Sequence, residues 1–231
     1  KSSGGDNFTR WLVIGMVTLV VASGAIFSVV GENTKANESF AILNDFKVGP
    51  TVVSTVDDTN GAGITFNEGA AKTVDIWEDP QCPVCKAFEQ ANGEFVEDLV
   101  RAKKAKVVYH VLSFLGNESV SAANAAYCAA DEARYLDFHK AMYMVQPVLE
   151  NSGFYSTENL IKIGSYAGLS SQSFIDCVTK GSKLDYVRAA YESMGKYNVQ
   201  GTPTVFFNGK LWERKNNAFL PSEFAAAFEA S

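Results

Sequence analysis

The chain of 231 residues is predicted to be an α/β protein with an inserted all-helical domain, preceded by one N-terminal transmembrane helix. Three observations predict this. An apolar strand pattern gives way to a helix and then to a second strand, the order that makes a parallel pair through a right-handed crossover. Residues 116–198 then carry helical periodicity before a hairpin and a closing helix. Finally, Trp11 to Val30 runs without a charge, and at about 1.5 Å per residue it is long enough for the roughly 30 Å hydrocarbon core of a bilayer.

In chain order, residues 1–10 form a tail and 11–30 the anchor. Ala22, Ser23, Gly24 and Ala25 would also suit a signal peptidase, so a cleaved signal is the alternative. Lys1 and Arg10 before the segment and Lys35 and Lys47 after it leave the positive-inside rule nearly silent. Residues 31–60 read as a linker, punctuated by Gly49-Pro50 and Asp57-Asp58, with one short strand around Thr51 to Val56. Thr73 to Trp77 is a strand. The helix after it carries Phe88, Ala91, Phe95 and Leu99 at the spacing of one buried face, with Asn92-Gly93 placed to kink it. Ala105 to Phe114 is nearly continuous in apolar residues and reads as a central strand buried on both faces.

Helices are then expected over Val120 to Ala133, over Tyr135 to Val145 ahead of Pro147, from Thr157, over Ser171 to Lys180 and over Lys183 to Tyr197. Thr204 to Phe207, Asn208-Gly209 and Lys210 are the pattern of a hairpin with a tight turn. Pro221 suits the first position of a closing helix.

The chemistry concentrates in Cys82-Pro83-Val84-Cys85, at the junction of a strand and a helix. A cysteine there faces unpaired backbone N–H groups and the positive end of the helix dipole, which favour thiolate. Cys82 is therefore the expected attacking sulfur and Cys85 the resolving one, with no cofactor required. A zinc half-site and a purely structural bridge are the alternatives. Zinc wants further nearby ligands, and neither Cys128 nor Cys177 is near in sequence, so no metal is expected. Cys128 and Cys177 lie in separate predicted helices and read as a structural disulfide; two buried free thiols are the other reading.

A net charge of −6 with no long Lys/Arg run argues against nucleic acid as a partner. The even cysteine count suits a compartment where disulfides persist. With the anchor, it places the bulk of the chain outside the cytoplasm, as a single-pass protein of the cell membrane.

Asp79-Pro80-Gln81-Cys82-Pro83-Val84-Cys85-Lys86-Ala87-Phe88, a helical insertion, and then Gly201-Thr202-Pro203-Thr204-Val205-Phe206-Phe207-Asn208-Gly209 resemble the DsbA-like branch of the thioredoxin superfamily. The likeness is greatest to its membrane-anchored Gram-positive and actinobacterial thiol-disulfide oxidoreductases, and it covers about residue 60 to the end. It implies a thioredoxin fold over 61–115 and 199–231, with 116–198 as the insertion. It also implies a cis Thr202-Pro203 peptide facing Cys82, in a site made of Cys82, Cys85, Thr202 and Pro203. Implied too are substrates that are unfolded or folding exported proteins with free thiols, and a membrane partner that re-oxidises the enzyme.

Two departures bear on direction. The family's buried acid, six residues before the first cysteine, is replaced by Ile76, leaving Glu78 and Asp79 as nearby candidates for acid/base work or for capping and turn formation. Val84 stands where the best-known oxidases carry histidine, so the resemblance implies a less acidic Cys82 and a less oxidising disulfide. Oxidation of exported proteins is the leading expectation. A reductase or isomerase at the same site, and a tethered peptide-binding chaperone module, are the alternatives. His110 and His139 are expected in core or surface roles.

Overall fold

The computed structural model describes residues 39–57, 61–215 and 218–231. Leu43–Ser231 form one unit built on a six-stranded mixed sheet. Its strands are β1 (Thr55–Asp57), β2 (Gly63–Phe66), β3 (Thr73–Glu78), β4 (Lys106–Val111), β5 (Thr204–Phe207) and β6 (Lys210–Leu211), in the spatial order β1-β2-β4-β3-β5-β6. Helix α1 (Pro83–Arg101) connects β3 to β4, and those two strands pair in parallel, as the strand-helix-strand order predicts. All other pairings are antiparallel. This is a mixed α/β thioredoxin fold. The insertion holds α2 (Asn117–Asp131), α3 (Tyr135–Met144), α4 (Thr157–Tyr166), α5 (Gln172–Lys180) and α6 (Leu184–Ser193), and α7 (Pro221–Glu229) closes the chain.

Strand alternation sorts the two faces of the sheet. Trp77 and His110 sit opposite each other in the β3–β4 register, and their rings stack with centroids 3.7 Å apart. Leu112, Ala190 and Val199 bury that pair. Ile76 pairs with Tyr109 and Glu78 with Val111 on the other face. There Phe207, Phe88 and Phe224 interlock, with Phe224 5.5 Å from Phe88 and 5.1 Å from Phe207 between ring centroids. Lys72 Nζ donates to the carbonyls of Phe228 and Glu229, neutralising the carbonyl end of α7.

Several local expectations shift. Helix α1 runs unbroken through Asn92-Gly93, and its buried face is Cys85, Phe88, Asn92, Val96, Leu99 and Val100. Ala91 and Phe95 are half-buried instead, because Phe95 turns aside to meet Phe224 and Phe228. The strand expected at Thr51 to Val56 is only Thr55–Asp57, and β2 is a further strand, fully buried, beyond those the sequence pattern predicts. The hairpin turn is as expected, with Asn208 at φ 50° and Gly209 at φ 76°, the doubly left-handed geometry such turns use.

The segment 11–30, expected as a membrane anchor, lies outside the described residues. Among the described residues no helix is long and apolar enough to cross a membrane.

Candidate active site

Cys82 caps the N-terminus of α1 with extended backbone (φ −69°, ψ 118°), and Pro83 occupies the first helical position, where no N–H partner is lost. Cys82 is 7% exposed and Cys85 is fully buried; neither is disulfide-bonded, so the reduced pair is seen. One sulfur is therefore reachable and the other shielded behind it.

The Cys82 thiol is lowered to about 6. The largest cause is the hydrogen bond from the Cys85 thiol, and the Thr202 side chain and the N–H groups of Cys85 and Val84 add to it against the cost of burial. Histidine is thus not needed at position 84 to favour a thiolate. Cys85 is pushed the other way, well above its ordinary value, by burial first and then by Cys82 and Glu78. Opposed shifts of this kind separate an attacking thiolate from a resolving thiol.

Across from Cys82 lies the loop ahead of β5. Its Thr202-Pro203 peptide is cis, and the Cys82 sulfur is 3.7 Å from the Thr202 carbonyl oxygen. The four residues predicted for the site, Cys82, Cys85, Thr202 and Pro203, thus come from two segments over a hundred residues apart and converge on one spot, with Thr202 and Cys82 separated by 120 positions.

Asp79 and Glu78 take different places. Asp79 is fully buried and organises the turn before Cys82. Its carboxylate accepts from the Gln81 N–H at 2.9 Å, the Ser119 hydroxyl at 2.6 Å and the Leu115 N–H at 3.1 Å. Glu78 lies on the same face of the sheet as Ile76, where its charge bears on the Cys85 thiol, and its Oε2 lies 3.0 Å from His139 Nε2 on α3. His139 Nδ1 is 3.7 Å from Glu89 Oε2 on α1. Burial pushes both carboxyls well above the usual carboxylate range and holds the imidazole below its ordinary value. Desolvation thus opposes charge on both members of the Glu78–His139 pair and works against an ion pair there.

Among the described residues, Glu78, Glu89 and His139 form the one group of three or more His, Cys, Asp or Glu side chains with donor atoms within 4.8 Å of one another. Their contacts are to each other, and their desolvation favours proton-bearing carboxyls over the charged forms a cation requires.

The insertion also grips the reactive loop. Gln146, just beyond α3, donates Nε2 to the carbonyls of Pro80 at 2.7 Å and Cys82 at 3.0 Å. Tyr143 donates its hydroxyl to the Asp79 carbonyl at 3.1 Å, and Gln81 Nε2 reaches the Ser119 hydroxyl at 2.9 Å. Cys128 on α2 and Cys177 on α5 are joined by a disulfide, with Cα atoms 5.9 Å apart. Gln146 and His139 carry no sequence signal of these roles. Glu89 carries one: four residues after Cys85, it lies one helical turn along the same side of α1.

A thioredoxin fold with a paired thiolate and buried thiol at a helix N-terminus defines the class of thiol-disulfide exchange proteins. A family model described as thioredoxin matches residues 61–223, and the chain belongs to that family. Among solved structures it resembles thiol-disulfide oxidoreductases of actinobacteria. Reduced DsbA from Mycobacterium tuberculosis is 27% identical with a TM-score of 0.60, over 79% of this chain and 89% of that one. The reduced disulfide bond oxidoreductase DsbG of the same organism is 25% identical, TM-score 0.59, over 79% and 84%. The MdbA thiol-disulfide oxidoreductase of Corynebacterium matruchotii shares the fold at 22% identity, TM-score 0.66, over 81% and 98%. Among curated proteins, the serine/threonine-protein kinase PknE of M. tuberculosis is 28% identical over 152 residues, 59% of this chain and 27% of that protein. The chain thus spans about a quarter of the length of the curated relatives it matches.

Proposed function

We propose that the chain is a dithiol oxidase that introduces disulfides into exported proteins through the Cys82–Cys85 pair. The observation that carries this reading is the lowered Cys82 thiol beside a buried, raised Cys85. Stabilising the thiolate stabilises the reduced enzyme, and that makes its disulfide the stronger oxidant. In the forward direction a substrate thiolate attacks the Cys82 sulfur of the enzyme disulfide, forming a mixed disulfide and expelling Cys85. Glu78 supplies the proton that the departing Cys85 sulfur takes up. The substrate's second thiolate then attacks its own sulfur in the mixed disulfide and releases Cys82 as thiolate. The backbone beside Thr202 and Pro203 is the surface against which the substrate lies.

Action outside the cytoplasm is supported by the Cys128–Cys177 disulfide and by the apolar run at 11–30, which would tether the chain to the cell membrane. A membrane partner then accepts the two electrons and regenerates the Cys82–Cys85 disulfide.

The test is equilibration of the pair with glutathione buffers of known ratio, combined with oxidation of a reduced, unfolded substrate. An oxidising potential and substrate oxidation that vanishes in Cys82→Ser are expected. A strongly reducing potential overturns the oxidase and favours a reductase or isomerase at the same site. Resistance of the reduced Cys82 to alkylation at mildly acidic pH would point to a binding module with structural cysteines.

A further inference from the structure

We propose that the cavity on the Trp77 face of the sheet binds a donor-bearing aromatic side chain, a phenol or an indole, of an extended polypeptide. It measures about 360 Å³, and Asp75 and Trp77 of β3, His110 of β4, Phe206 of β5, Gly209 of the hairpin turn and Tyr197 beyond α6 line it. None of these residues belongs to the Cys82 site. The proposal rests on the exchange reaction above only for the source of the polypeptide, an exported chain awaiting oxidation.

Three observations carry it. First, the walls are aromatic. The Trp77 and His110 rings stack at 3.7 Å between centroids, and Tyr197 leans toward them at 5.2 and 6.1 Å. Phe206 lies beside Asp75 in the β3–β5 register. Burial lowers His110 to about 4, so its ring is a neutral surface near neutral pH. Such faces favour offset or edge contacts with a further ring. An apolar cavity of about 150 Å³ already admits benzene, so the larger space here has room for a phenol or an indole.

Second, one acceptor is unused. Asp75 is half-buried in the lining, and none of the hydrogen bonds or ion pairs among the described residues engages its carboxylate. Burial accordingly raises it above its ordinary value, with Lys106 of β4 drawing it back. A carboxylate so placed is short of a donor. A phenol O–H or an indole N–H supplies one.

Third, charge selects a neutral donor over a cation. Lys106 already attracts the carboxylate, and Lys196 Nζ lies over the Tyr197 ring, 5.2 Å from its centroid. Both features that would draw an ammonium group are thus served by lysines of the chain itself, which would repel another.

The mouth of the cavity suits a side chain carried on a backbone. A Cβ at Gly209 would meet no heavy atom within 4 Å, so the space beside the turn is open. The turn itself is fixed: Asn208 Oδ1 accepts from the Thr73 N–H at 2.7 Å, and the Asn208 N–H donates to the Thr73 carbonyl at 3.0 Å. Next to it, Leu211 pairs with Phe206 in register and is 48% exposed on β6, the edge strand of the sheet. An extended segment can lie along that apolar edge and drop one ring into the cavity.

The experiment titrates the reduced, isotope-labelled full chain with N-acetyltyrosinamide, N-acetylphenylalaninamide, N-acetyllysinamide and a cysteine-free heptapeptide carrying one central tyrosine, read by backbone amide NMR shifts. Shifts centred on the cavity residues are expected. The tyrosine amide should bind about 10-fold more tightly than the phenylalanine amide, the worth of a hydrogen bond to a charged acceptor. The lysine amide should not bind, and the heptapeptide should bind more tightly than any amide. Asp75→Val, which suits a strand and removes a desolvated carboxylate, should make the tyrosine and phenylalanine amides equal. Phe206→Ala should weaken both. Equal binding of the two aromatic amides to the parent chain, strongest binding of the lysine amide, or shifts centred elsewhere overturn the site. A heptapeptide no tighter than the tyrosine amide overturns the polypeptide as its occupant. Because the heptapeptide has no thiol, a failure of the exchange reaction leaves these titrations unchanged, and the two readings fall separately.

Discussion

Gln146 Nε2 donates to the carbonyl oxygen of Cys82 at 3.0 Å, across 64 positions of sequence, and the same nitrogen donates to Pro80 at 2.7 Å. The reactive turn is therefore held by a residue of the insertion. Gln146→Leu keeps the bulk and removes both donations in a buried site. A loss of about 1–3 kcal/mol in urea unfolding is expected, and an unchanged midpoint would show that the contact carries no stability.

Asp79 receives three donors from three segments, the Gln81 N–H, the Leu115 N–H and the Ser119 hydroxyl. Asp79→Ala leaves the buried Gln81 and Ser119 donors and the part-buried Leu115 N–H unpaired and should cost about 3 kcal/mol or more. Asp79→Asn keeps one acceptor oxygen but turns an amide N–H₂ toward another donor, so it should recover only part of that loss. Chemical denaturation of the two variants side by side checks the order.

The Cys82 thiol, lowered from 9.0 to about 6, makes reactivity and stability depend on pH in the same window. Alkylation of the reduced chain should rise through a midpoint near 6, and Thr202→Val should move that midpoint up by removing a hydroxyl that favours the thiolate. A folded value below the unfolded one stabilises the reduced form above the unfolded value, and the gain is lost as pH falls through the folded one. The Tm of the reduced chain relative to the oxidised chain should therefore be higher at pH 8 than at pH 5. Calorimetry on both redox forms measures the difference.

The disulfide between Cys128 and Cys177 spans 49 positions and ties α2 to α5. Cys128→Ser with Cys177→Ser should lose about 4 kcal/mol, the loop-closure entropy of a ring that size. Because the groups that lower Cys82, namely Cys85, Thr202 and Val84, lie on neither helix, the alkylation midpoint of Cys82 should not move. Denaturant titration and alkylation on the same variant separate the two effects.

The reactive half of the site is legible in the sequence because its signals are local. Cys82-Pro83-Val84-Cys85 after an apolar strand specifies a capped helix with one sulfur at its mouth, and Asn208-Gly209 specifies the turn that follows the Thr202-Pro203 segment. What escapes is whatever depends on packing between distant elements. His139 reads as an ordinary helical histidine until α3 is laid over β3, and Gln146 as the residue before a helix-ending proline. Gly93 reads as a break in α1. Its reason is the Glu89 carboxyl beside it, which lets tertiary space override propensity. Spacing alone puts residues 91 and 95 on the buried face, but the aromatic ring of Phe95 has partners in α7 to turn toward.

Strand β3 presents Ile76 and Glu78 to one face and Trp77 to the other. The face repeats every second residue, so a proton-handling side chain can migrate along the strand by two positions and still meet the same buried sulfur. A migration of one position would strand it among Trp77, His110 and Leu112. In relatives with an apolar residue at the usual acidic place, the acid is therefore to be sought at even offsets along the strand. A carboxyl at an odd offset, such as Asp79 just past the strand end, is the one to suspect of holding a turn.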